Sequence, residues 1–97
     1  MEFLLGAQLG FRPAFFDFAT CAIYVSRDQG GNPVAFHTPD GLPDEVVSRH
    51  GFSGRVLRVK STLIEGFERN GFFYTYAAVE RAAAEWLPRR LRLTAGK

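Results

Sequence analysis

The chain has one cysteine, one methionine, one tryptophan and two histidines in 97 residues, and each scarcity excludes something. A lone Cys21 permits no intrachain disulfide, so nothing staples the fold and a reducing, cytoplasmic setting is expected. His37 and His50 stand thirteen apart with no cysteine pair at finger spacing, so no structural zinc site and no other cofactor is expected. No apolar run approaches the roughly 18 residues of a membrane span. The apolar opening MEFLLGAQLG carries Glu2 where a secretory leader needs cations, and Gly6 and Gly10 break it. Neither a leader nor a membrane partner is expected. The net charge of +2 is small for a dedicated nucleic-acid binder.

What is abundant is phenylalanine, with ten Phe beside three Tyr. Aromatics must therefore dominate the core, a binding face, or both. A composition 46% hydrophobic and 23% charged is that of a globular protein, and the length fits one domain over residues 1–97. Charge is unevenly spread. Residues 1–54 hold three Arg against six acids, net −3, whereas 55–97 hold nine Lys or Arg against four, net +5. Gly-Phe recurs at 10–11, 51–52, 66–67 and 71–72, which reads as turns that send a large side chain back into the core.

TCAIYVSR (20–27) reads as a strand, ended by DQGGNP, with VAFHT (34–38) as its hairpin partner. That register would pair Arg27 with Val34 and set Tyr24 opposite His37. LPDEVVSRHGF (42–52) reads as a short helix near 43–50, with Pro43 at its first position, acids in its first turn and His50 at its C-terminal end. GRVLRVKSTL (54–63) alternates, placing Leu57, Val59 and Leu63 on one side and Arg58, Lys60 and Thr62 on the other. Residues 62–70 fit either a helix or, preferably, a strand entering a hairpin at Asn70-Gly71. TYAAVERAAAEWLP predicts the main helix over 76–87, capped by Thr75, with Val79, Ala82, Ala83, Trp86 and Leu87 as its apolar stripe. RRLRL starts the segment 89–97, an edge strand or a frayed basic tail.

The fold class expected is α+β: an antiparallel sheet of three to five strands with the main helix on one face. The alternative is a ferredoxin-like βαββαβ order. GFFYTY after a basic strand resembles an aromatic strand of the RNA recognition motif family, and AIYVSR resembles that family's other aromatic strand. The resemblance implies aromatics that stack on bases. The chain departs from it at Asn70, where the family has Arg or Lys, at Phe73, where it has a small residue, and in the insertion 28–41. No site residue is carried over. Phe73, with Phe72 or Tyr74, is expected in the core against the helix stripe.

No catalytic constellation stands out. Cys21 reads as a small buried hydrophobe rather than a nucleophile, and Ser48, Ser53 and Ser61 lack a nucleophile-elbow setting. The function expected is a small non-catalytic binding module working through protein–protein contacts, an inhibitor or adaptor of a larger bacterial or phage machine. The alternative is nucleic-acid binding through a basic face built from Arg55, Arg58, Lys60, Arg89, Arg90 and Arg92. A small thiol or hydrolytic enzyme ranks third.

Overall fold

The computed structural model describes residues 9–86. It has an antiparallel four-stranded sheet in the order β2-β1-β5-β6 and a separate two-stranded ladder, β3-β4. These strands are β1 (Arg12–Asp17), β2 (Ala22–Val25), β3 (Val47–His50), β4 (Val56–Val59), β5 (Leu63–Arg69) and β6 (Phe72–Tyr74). One helix, α1 (Tyr76–Trp86), closes the described chain. The α+β class and the single main helix agree with the sequence reading. The basic segment 89–97, and with it Arg89, Arg90 and Arg92, lies outside the described residues, as do the side chains of Trp86 and Leu87.

The partner of β2 differs from expectation. It is β1, with Phe15 opposite Tyr24 and Phe16 opposite Ile23, while 34–38 forms no strand and only Arg27 bridges Pro33. Pro13 hides β1 from a sequence reading, because proline in a run argues against a central strand. It is tolerated here because the donor it lacks is supplied from elsewhere. Ser26 N donates to the Pro13 carbonyl at 2.9 Å, and Val34 N donates to the Ser26 carbonyl at 3.1 Å. The buried Ser26 hydroxyl then donates to Phe36 O and accepts from Thr38 N. A side chain thus pins the segment that was expected to pair as a strand.

The helix expected over 42–52 shrinks to one 3-10 turn, Asp44–Val46. From Val47 the chain is strand, because Val46 and Val47 are β-branched and Val56 to Val59 offer a ladder. His50 accordingly caps no helix. The preferred hairpin at 62–70 is present: Asn70 (φ 54°) and Gly71 (φ 87°) make the tight turn between β5 and β6. Glu68 locks that turn by accepting from Gly71 N at 2.8 Å while Arg12 holds its other oxygen. Burial pushes the Glu68 carboxyl up, but the Gly71 amide and the Arg12 guanidinium outweigh it and hold it below its ordinary range.

Register and alternation place Phe15, Phe67, Leu63, Tyr24 and Tyr74 on one face of the sheet. That face carries both cores. Phe11, Phe67, Val79 and Ala82 form one, with Leu9 and Tyr74 against it. Phe15, Leu42 and Val46 form the other, flanked by Val47, Val59 and Leu63. Helix α1 begins as expected, with Thr75 Oγ1 accepting from Ala78 N, and its alanines let it lie close to β5 and β6. Tyr74 meets the helix core, but Phe73 does not, because successive residues of β6 point to opposite faces.

Candidate interaction surface

The hairpin β3–β4 holds the described part of the predicted basic site. Its ladder pairs Val47 with Val59, Arg49 with Arg58 and His50 with Val56, with irregular register between. Val47 and Val59 pack on the second core, so the root of the hairpin is fixed. The tip closes through Gly51 N to Arg55 O at 2.8 Å and Gly54 N to Gly51 O at 3.1 Å. Gly54 has φ +85°, a left-handed conformation open to glycine.

The predicted cations have different fates. Lys60 does not face solvent freely: its Nζ lies 3.1 Å from Oδ2 of Asp17, whose side chain is 1% exposed. Arg55 Nε donates to Asp40 Oδ2 at 3.1 Å, and Asp40 also accepts from Val56 N. Both cations are thus spent on anchoring the hairpin to the body. Arg58 is exposed and makes no ion pair among the described residues. Arg49, which sequence reading did not single out, lies opposite it across the ladder. Like charges in register destabilise a sheet pair, so the two cations are strained by each other and available to an anion.

Phe52 is the second residue that sequence reading missed. It stands fully exposed at the hairpin tip. Of the four Gly-Phe pairs, those at 10–11 and 66–67 do send a ring into the core, whereas Phe52 and Phe72 are exposed. Phe52 is distinguished by Gly51 and Gly54 around it: a short tip between glycines has no path back to the body. Leu57, expected inside, is also exposed on this hairpin and rests against Gly51.

A second polar cluster lies in the seam between the two cores. His37 Nε2 donates to the Gly66 carbonyl at 2.7 Å, which places its hydrogen on that nitrogen. Its Nδ1 lies 3.2 Å from the Tyr76 hydroxyl, which is also 3.4 Å from Glu65 Oε1. The rings of Phe15, Phe67 and Tyr76 surround the imidazole at 5.4 to 5.8 Å. Burial first, then the Glu65 charge, raises the Tyr76 hydroxyl above its ordinary value. The cluster ties the 27–41 segment to β5 and α1.

Cys21 is exposed, not buried, and adopts φ +63° in the turn after β1. It lies there because Asp17 draws the turn tight: Thr20 N and Cys21 N both donate to the Asp17 carbonyl. Among the described residues no group of three His, Cys, Asp or Glu is placed to hold a metal ion, and no helix is long and apolar enough to cross a membrane. Comparison with protein-family models, curated proteins and solved structures finds no match.

Proposed function

We propose that the chain is a non-catalytic binding module that grips a protein partner with the β3–β4 hairpin. The observation that carries this reading is Phe52, a large apolar side chain held fully in solvent at the end of a fixed hairpin. Aromatic and Arg side chains dominate the energetics of protein interfaces, and Arg49 and Arg58 face each other on the same hairpin, separated from its tip by the His50–Val56 pair. A carboxylate set between those cations would relieve their mutual repulsion, so the partner is acidic around an apolar pocket. Inhibitors and adaptors act in this way, and a reducing compartment suits the free Cys21.

Nucleic acid fits this surface less well. Phosphate tracking needs several free cations, each contributing about −0.9 to the salt slope on duplex DNA. Here Lys60 and Arg55 are already bound to Asp17 and Asp40.

The test is co-purification from the native host with and without nuclease, using wild type and Phe52→Ala. A protein retained after nuclease and lost with Phe52→Ala supports the reading. Capture that vanishes with nuclease, or that ignores Phe52→Ala, overturns it.

A further inference from the structure

The four-stranded sheet has two apolar faces, and the described chain covers one of them. Helix α1 and the β3–β4 hairpin both pack on the face of Phe15 and Phe67. Alternation sends Phe16, Ile23, Val25, Ile64 and Phe73 to the other face. Phe18 N donates to the Thr62 carbonyl at 3.0 Å, which carries the β1–β5 register one pair further and sets Phe18 on this face too. Within the strands, the only charged side chains here are Arg12 and Glu68, which bind each other at one end. No other described helix or strand lies over this face, and Ile64 and Phe18 are 39% and 56% exposed. An antiparallel sheet with one face in water places polar residues on that face. This one is built as a sheet covered on both.

We propose that a second copy of this chain covers the face, the two sheets stacked about a two-fold axis. Both ends of the described chain leave from the opposite side. Leu9 packs on the core beneath α1, its carbonyl accepts from Arg69 Nε at 2.7 Å, and α1 itself lies on that side. A terminal segment would have to pass round the sheet to reach the bare face.

Charge selects between a second copy and a foreign partner. The hairpin presents Arg49 and Arg58 to an acidic protein, but the bare face has no free charge to offer one. A two-fold pair sets one patch against itself, so an uncharged patch meets its copy with no like charges opposed. The Arg12–Glu68 pair at its end is neutral as a unit. Four strands about 4.8 Å apart, over about five residues of about 3.3 Å, make a patch of roughly 300 Å². Exposed apolar patches of that size mark interaction sites. It is below the roughly 800 Å² per partner of a standard interface, so the pair forms at high concentration and comes apart on dilution.

The experiment is sedimentation equilibrium of the whole chain in reductant, from about 1 to about 300 µM, a range that brackets a weak interface. Wild type should rise from the monomer mass towards twice that mass. Ile64→Lys sets a cation into the apolar interface and should weaken association by more than about tenfold, while its thermal melt reports that the exposed site tolerates lysine. Phe18→Ser should weaken association as well, and decides the matter if Ile64→Lys does not fold. Phe52→Ala should leave association unchanged, so failure of the hairpin reading and failure of this one are told apart. In 15N spectra, rising concentration should shift the Phe16, Ile23 and Ile64 amides and leave Phe52 in place. A monomer at every concentration overturns the proposal and leaves the face to a terminal segment or a foreign partner. Association that survives both substitutions, that appears only without reductant through Cys21, or that maps to the hairpin tip overturns it too.

Discussion

The Phe73 ring stacks on Phe16 at 5.0 Å between centroids and 20° between planes, two strands away across Gly66. It can reach Phe16 only because residue 66 has no side chain. A Cβ built there would run into the Phe73 ring and the Tyr74 carbonyl. The pair lies on the face opposite α1, so a glycine that sequence reading would call a weakness in a strand is what lets that face close.

Gly66→Ala is therefore expected to destabilise the fold by about 1–3 kcal/mol or more, the cost of overpacking against backbone that cannot yield. Urea unfolding measures it. A loss within about 0.5 kcal/mol, the range of an ordinary surface change, would show that the ring swings clear and that the stack is dispensable.

Acid should unfold the protein partly through Asp17. Its pKa is lowered from 3.8 to about 2. The Thr62 hydroxyl is the largest cause; burial opposes it, and the Ala19 amide and Lys60 add to it. Thr62 Oγ1 is buried close to the carboxylate but outside the geometry of a formed hydrogen bond. Because the folded-state value is depressed, the contribution is complete above about pH 4 and is lost as pH falls towards 2. Thermal melts from neutral to acid pH should show this loss, and Asp17→Asn should flatten it. Thr62→Val should move the loss to higher pH. An unchanged acid limb in Asp17→Asn would remove Asp17 from the account.

Cys21 should react with a thiol reagent in the native state, without waiting for unfolding, because it is exposed. Its φ of +63° also strains a residue that is neither glycine nor asparagine. Cys21→Asn is expected to stabilise the protein by up to about 1 kcal/mol, since Asn tolerates that region. Labelling only in denaturant, or a clear loss of stability on substitution, would count against this turn.

The parts of the fold legible in sequence are those specified locally. Thr75 caps α1, the alanines define its buried stripe, and Asn70-Gly71 dictates its own turn. What was hidden depends on contacts distant in sequence. Pro13 masks β1 because its missing donor is made good by Val34, which no local pattern reveals. His37 was misplaced with it, since its partners Gly66 and Tyr76 lie on β5 and α1. On the candidate surface, cation type was readable but cation availability was not. Lys60 and Arg55 are consumed by Asp17 and Asp40, 43 and 15 residues away. Phe52 carries a usable signal in its flanking glycines, although Gly-Phe elsewhere in the chain marks a return to the core at 10–11 and 66–67.

Reversing the charge of the exposed pair, Arg49→Glu with Arg58→Glu, should leave stability within about 0.5 kcal/mol, because neither cation makes an ion pair among the described residues. It should slow association with an acidic protein and reduce the dependence of that rate on salt. Tight binding of random DNA or RNA at physiological salt, abolished in this double variant, would favour the nucleic-acid reading instead.

The most direct measurement places a photo-crosslinking phenylalanine analogue at position 52 and, in separate proteins, at the exposed positions 18 and 72. Irradiation in extract of the native host is predicted to give one discrete protein adduct from position 52, resistant to nuclease and absent from positions 18 and 72. Adducts to nucleic acid, equal labelling from all three positions, or none from position 52 would contradict the hairpin as the binding surface.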